Sequence, residues 1–262
     1  MNIVITAGGT QESIDEVRYI SNMSTGQLGS EIADSLTDTW FLDKTLSRNH
    51  IFYIYVKGSI IPQFSSAISY IEVTDTRSVE KAINNVMSEN KINYFIHAMA
   101  ISDYYVDNIF SMDDIINSLV ERSILDKSIL VNSGETVREA INSITGMDQN
   151  SKISSNNDEM FISLKKTKKL VDTIKELDPN IYLMSFKLLS GVSTDTLIET
   201  AQKQLERTRS DIVIANDLKW IKDEQHKAYF VKEDSITEVD SKRKIADKIS
   251  EIINDKQMVS SN

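Results

Sequence analysis

The chain has 262 residues, 40% of them hydrophobic and 26% charged, enough apolar material for one large core or two modest ones. With 8 Gly and 2 Pro it is neither collagen-like nor low-complexity, and without cysteine it has no disulfides, thiolate nucleophiles or cysteine–zinc sites. A net charge of -10 argues against a nucleic-acid partner but not against small anions held by local dipoles and a few cations.

Three scattered histidines (His50, His97 and His226) speak against a His-based metal site. No apolar run approaches the roughly 18 residues of a membrane span. No signal peptide precedes the strand-like run Ile3-Val4-Ile5. The expectation is a soluble, cytoplasmic protein with no membrane partner.

The elements alternate. Residues 3–6 read as a β-branched strand ending at Gly8-Gly9, and a helix is expected from about Ser24, carried by Leu28, Ile32 and Leu36. Strands are expected at 51–56 and 68–73, a helix at 78–90, and a buried strand at 94–100. Further strands are expected at 181–186 and 212–215, the latter stopping at Asn216-Asp217, with a helix at 194–207 between them. A hairpin over 227–239 and a helix at 242–253 close the chain. Strands separated by helices predict an α/β fold: a three-layer, doubly wound, mainly parallel sheet of Rossmann-like type. Residues 104–158 are polar, hold a helix at 112–122 and a β-like run at 129–131, and read as a flap or arm on a single domain spanning 1–262.

In such sheets ligands sit beyond the carboxyl ends of the strands. Gly8, Gly9 and Thr10 there are either an anion-binding turn or an ordinary strand-to-helix turn. Ser24-Thr25-Gly26-Gln27-Leu28-Gly29 opens the first helix, as a plain cap or as a phosphate site on free N–H groups. It is neither a Walker A loop nor a dinucleotide fingerprint. Arg18 and Asn22 are surface loop residues or a clamp for a carboxylate or phosphate. Asp103 and Asn216-Asp217 are turn residues or acceptors for ribose hydroxyls. Lys152 lies in the polar segment. Lys165, Lys166, Lys168 and Lys169 form a triphosphate trap or a solvated face, and Lys187 beside Phe186 is the better-placed cation. Tyr53 and Lys57 match the spacing of a reductase pair, but on a β run rather than a helix.

Taken in order, residues 3–10, 14–22 and 24–29, AMAISDY at 98–104, Lys152-Ile153-Ser154-Ser155, Ser185-Phe186-Lys187-Leu188 and Ile214-Ala215-Asn216-Asp217-Leu218 resemble the phosphopantothenoylcysteine synthetases, or phosphopantothenate–cysteine ligases. The resemblance covers nearly the whole chain. It implies that CTP, or ATP, with Mg²⁺ activates 4′-phosphopantothenate as an acyl-nucleotide, which L-cysteine then attacks. It further implies a homodimer. By the same resemblance Asn22 holds the reacting acyl group and Arg18 orients the carboxylate. The Ser24–Gly29 helix start, with Gly8, Gly9 and Thr10, takes the nucleotide phosphates, and Asp103 takes the ribose. Phe186 and Lys187 lie near the nucleotide, and Lys152 closes over the phosphates. The metal ligands stay unassigned.

Several positions depart from the family pattern: Gln27 stands for a commoner Lys, Ser154 and Ser155 for flap lysines, Ser185 for Gly and Leu189 for Glu. The length implies a free-standing form, without the fused flavin-dependent decarboxylase. Two other classes compete, an NAD(P)-dependent reductase and a non-catalytic nucleotide-binding module.

Overall fold

A computed structural model describes residues 1–42, 46, 48–125, 134–156, 158–222 and 225–260. The elements run β1 (Asn2–Ala7), β2 (Gln11–Ser13), β3 (Tyr19–Ser21), α1 (Gln27–Leu42), β4 (His50–Val56), β5 (Ile68–Val73), α2 (Thr76–Glu89) and β6 (Tyr94–His97). Then follow β7 (Tyr104–Ser111), α3 (Met112–Leu125), α4 (Gly134–Ser143), β8 (Met160–Lys166), α5 (Leu170–Leu177) and β9 (Tyr182–Leu189). The chain ends with α6 (Thr194–Thr208), β10 (Ile212–Lys222), β11 (Gln225–Val231), β12 (Ile236–Ser241) and α7 (Lys242–Ser260). They form two compact units. One holds residues 1–10, 22–101 and 168–262, the other residues 11–21 and 102–167.

The first unit is an eight-stranded sheet in the order β12-β11-β10-β9-β6-β1-β4-β5. The strands from β10 to β5 are parallel to their neighbours, and β11 and β12 are antiparallel additions. β-Branched runs such as NIVITA suit strands covered on both faces. Ile3 and Ile5 turn to one face, where they meet Ile32 and Leu36 of α1 and Ile245 and Ile249 of α7. Val4 and Phe95 turn to the other, against Val79 and Ile83 of α2 and Ile174 of α5. On that same face α6 packs Leu197 and Ala201 on Val213 and Ala215. This is the three-layer, doubly wound arrangement expected. Asp75 starts α2 with a capping box shared with Ser78, two residues ahead of the expected start.

The second unit pairs β2 with β3, and β7 with β8, both antiparallel. Here the sequence reading needs correction. Residues 104–111 and 160–166 are strands, and 134–143 are a helix. In Tyr104–Ser111 the burial does not alternate, so no period of two is visible. The expected run at 129–131 lies outside the described residues. In the first unit β10 does not stop at Asn216-Asp217. A register shift between Asn216 and Ile221 lets it run on to Lys222. Among the described residues no helix is long and apolar enough to cross a membrane.

Candidate functional site

In the first unit, strand order reverses at β1, with β4 on one side and β6 on the other, so the loops leaving β1 and β6 diverge and open a ligand crevice. The backbone builds its rim. Gly9 bridges Ala100, Thr10 N donates to Ala100 O at 3.1 Å, and Ala100 N donates to Gly8 O at 2.8 Å. Asn22 joins the same point, its Nδ2 donating to Ala100 O at 3.3 Å. Its own carbonyl accepts from Ser24 N at 2.9 Å and lies so close to Gly9 that a Cβ there would collide with it. Residues 8–10 and Asn22, separate in sequence, are therefore brought together.

The first helix begins at Gln27, three residues later than expected, because Gly26 has φ +78 and cannot belong to a right-handed helix. A Cβ on Gly26 would stand 2.9 Å from Ser59 Cβ, so the loop after β4 packs directly on this turn. Gly26 O accepts the first helical bond, from Ser30 N at 3.1 Å. Of the two expected capping side chains Thr25 is the one that reaches the helix, its Oγ1 accepting from Gln27 N at 3.3 Å. No acidic residue occupies the first turn of α1, so nothing within that turn neutralises the positive end of its dipole.

Phe186 packs on the α1/α7 face of the sheet, and Gln204 Nε2 donates to its carbonyl at 3.2 Å. Lys187, one residue on, points to the opposite face by strand alternation, so these two expected neighbours diverge. Asn216 and His226 share the face of Phe186, in phase with Ile214 and Ala228 of the same core. Asn216 Nδ2 and His226 Nε2 are 3.2 Å apart. Burial first, then the nearby Lys242 ammonium, pushes the His226 imidazole down to about 4 and keeps it neutral. Asp217 is a structural residue. Its buried carboxylate accepts from Gly191 N at 3.0 Å, Val192 N at 2.9 Å and Lys219 N at 2.8 Å. These N–H groups hold its carboxyl below the usual range.

The second unit carries Arg18, Asp103 and Lys152. Arg18 is held by Asp15, with Nε at 3.0 Å and Nη2 at 2.5 Å from Oδ2. Asp15 also accepts from Val17 N, Arg18 N and Ile153 N at 3.0, 2.8 and 3.1 Å. The Arg18 guanidinium, aided by those N–H groups, holds the Asp15 carboxyl well below the usual carboxylate range. Arg18 Nη2 also reaches Ile153 O at 3.3 Å. Asp15, which sequence reasoning passed over, thus ties Arg18 to the residue after Lys152. The Arg18 side chain keeps 40% of its surface exposed, so its outer edge stays available to a ligand. Lys152 is exposed, and Asp103 is exposed just before β7.

Two lysines of the cluster are engaged in ion pairs. Lys165 pairs with Asp107 at 2.9 Å in the second unit, and Lys168 pairs with Glu80 at 3.2 Å in the first. These are solvated ion pairs of small energetic weight. Tyr53 is buried inside β4, so Tyr53 and Lys57 do not form the helical pair that reductase chemistry uses. Among the described residues no three His, Asp or Glu side chains cluster to hold a metal ion.

Residues 1–113 and 145–256 match the family model of the DNA/pantothenate metabolism flavoprotein C-terminal domain. The chain is 27% identical over 249 residues to the coenzyme A biosynthesis bifunctional protein CoaBC of Thermococcus kodakarensis, covering 94% of this chain and 49% of that protein. The chain spans about half the length of the curated CoaBC relatives it matches most fully. Among solved structures, the DNA/pantothenate metabolism flavoprotein from Streptococcus pneumoniae aligns with a TM-score of 0.77 at 32% identity, covering 98% of this chain and 99% of that one. A Cab2 mutant solved in complex with phosphopantothenate-cysteine aligns at a TM-score of 0.65 and 14% identity, covering 99% and 88%, a likeness of fold. Matched along most of its length by the model, and end to end by a solved relative, the chain belongs to the family of the DNA/pantothenate metabolism flavoprotein C-terminal domain.

Proposed function

We propose that the chain is a phosphopantothenate–cysteine ligase of coenzyme A biosynthesis. A nucleoside triphosphate, CTP or ATP, activates the carboxylate of 4′-phosphopantothenate and releases pyrophosphate. The L-cysteine amine then attacks the acyl-nucleotide, giving 4′-phosphopantothenoylcysteine and the nucleoside monophosphate. The observation that carries this reading is the glycine-lined start of α1 beside a pinned Asn22, in a chain of this family. Such chemistry rests on positioning and charge neutralisation rather than on a covalent nucleophile, which suits a protein without cysteine. The Cab2 mutant complex with phosphopantothenate-cysteine, a neighbour in fold, is in keeping with this substrate class.

In this reading Gly8, Gly9, Thr10, Ser24, Thr25 and Gly26 bind the nucleotide phosphates through backbone and hydroxyl groups. Asn22 holds the reacting acyl group, Phe186 stacks near the nucleotide, and Asp103 takes the ribose. Arg18, preset by Asp15, orients the carboxylate, while Lys152 and Lys187 supply charge. Mg²⁺ arrives with the triphosphate, because its oxygens are the ligands this ion prefers and the described residues offer no cage of their own. The enzyme works in the cytoplasm as a homodimer.

The test is pyrophosphate release with CTP or ATP, with and without each acceptor. Release should require 4′-phosphopantothenate and a triphosphate together, with cysteine consumed. Asn22→Ala should slow amide formation at least about tenfold and let the acyl-nucleotide build up, since one lost oxyanion-type donor costs about that or more. Wild-type turnover in that variant would refute the role given to Asn22.

A further inference from the structure

Helices α1 and α7 lie side by side and run the same way. Ser35 Oγ reaches Asp247 Oδ1 at 3.1 Å, Thr39 Oγ1 reaches Ser250 Oγ at 3.5 Å, and at their starts Lys242 Nζ reaches Gln27 Oε1 at 2.7 Å. Two parallel helix dipoles therefore present their positive ends together. Into that place the chain brings an ammonium from 215 residues away.

Its position is prepared. Gln27 Nε2 donates to Glu31 Oε1 at 2.8 Å one turn on, which fixes the amide and turns Oε1 toward Lys242. Glu31 thus acts on Lys242 through Gln27, and among the described residues no carboxylate forms an ion pair with Lys242 Nζ. Converging positive charge at one point is unfavourable until an anion enters.

A second observation also points to a ligand. His226 lies on the same face of the sheet, within reach of the Lys242 field, and is only 7% exposed. Its Nε2 faces Asn216, and its Nδ1 has no partner among the described residues. A desolvated ring nitrogen without a partner is a group that a bound molecule can satisfy.

We propose that Lys242 is a nucleotide-binding residue: tethered by Gln27 at the first turn of α1, its ammonium binds the polyphosphate. This rests on the ligase reading and deepens it. It also gives the neutral Gln27 a task, since the cation missing from α1 is supplied by α7. The ammonium keeps two further protons to donate beside the one given to Gln27.

The experiment titrates Lys242→Met and the wild type with CTP, ATP and the matching monophosphates by calorimetry, alongside steady-state pyrophosphate release. Triphosphate affinity should fall about tenfold to a hundredfold, as for loss of a charge-assisted bond, and monophosphate affinity less than about threefold. KM for the triphosphate should rise in parallel, with KM for 4′-phosphopantothenate and cysteine unchanged. Lys242→Arg should restore most of the affinity, and Gln27→Met, which removes only the tether, should give an intermediate loss. A merely structural lysine would lower the melting temperature and affect tri- and monophosphates alike. Unchanged triphosphate affinity in a folded Lys242→Met, or equal losses for mono- and triphosphate, would overturn the proposal. A wild-type protein that binds triphosphate but never releases pyrophosphate would instead overturn the ligase reading and leave the Lys242 titration valid.

Discussion

The two units solve the problem of placing polar groups in opposite ways. The first surrounds its strands with helices, and at its strand ends the polar groups are mostly backbone: the Gly8–Thr10 rim, the Ala100 carbonyl and the start of α1. The second has two-stranded ribbons, which bury little by themselves. Its β7 and β8 leave Tyr104, Tyr105, Phe161 and Leu164 exposed, and it relies on side-chain charge, with one carboxylate, Asp15, as its hub. Where the sheet is wide, position comes from register. Where it is narrow, position comes from a charge-assisted network.

The sharpest way to break that contrast is at Gly26. Gly26→Val forces a left-handed β-branched residue against Ser59, at about 3 kcal/mol for strain and overpacking together. Urea unfolding should show that loss, and pyrophosphate release should fall below about 1% of wild type. A stable, active variant would mean that backbone shape does not govern the first unit's site.

A smaller effect separates the units by pH. His97 is buried at the end of β6, bonded to Thr6 Oγ1 at 2.9 Å, and burial pushes it down to about 4. Because the unfolded chain protonates near 6.5 and the native state resists until about 4, stability is lost as pH falls across that window, on the order of 3 kcal/mol from His97. His226 adds in the same direction. All three histidines belong to the first unit. Asp15 acts the other way round: its carboxyl is lowered, so its contribution is complete above about 4 and vanishes only in stronger acid. Amide exchange read against pH should therefore show the first unit weakening between about 6.5 and 4, and residues 11–21 and 153 weakening below that. His97→Gln should flatten the first slope and Asp15→Asn the second. A single common slope would erase the distinction.

The smallest expected effect is at the lysine cluster. Lys168→Ala removes an exposed pair with Glu80 and should change stability by less than about 0.5 kcal/mol and turnover by less than about twofold. A large fall in triphosphate affinity would return that cluster to the binding site.

The same contrast decides what was legible in the sequence. NIVITA, IFYIYV and YFIH announce themselves because strands covered on both faces need uninterrupted apolar residues. YYVDNIFS does not, since its partner, Met160–Lys166, begins almost fifty residues later and neither strand alternates cleanly. The candidate site was legible where a residue type dictates conformation, as at Gly8 and Gly26, whose φ values are +94 and +78. It was illegible where a bond spans the chain: Asp15 to Ile153, and Gln27 to Lys242, have no local signature. Phe186 and Lys187, neighbours in the sequence, take opposite faces because adjacency along a strand is opposition across it.

The division of the chain has a consequence in time. The second unit interrupts the first twice, after β1 and after β6, which are neighbours in the sheet. During synthesis β1 can join β4 and β5 once roughly the first third of the chain has emerged. Residues 11–21 must wait, because the N–H that completes the Asp15 site belongs to a residue 138 positions further on. Residues 11–21 are therefore made early and finished late, and in the interval Asp15 and Arg18 lack the partner that locks them. A stall between residues 101 and 152 would leave four parallel strands, β6-β1-β4-β5, made and this carboxylate hub open. The order of translation thus completes the second unit, residues 11–21 and 102–167, while the first unit still waits for residues 168–262.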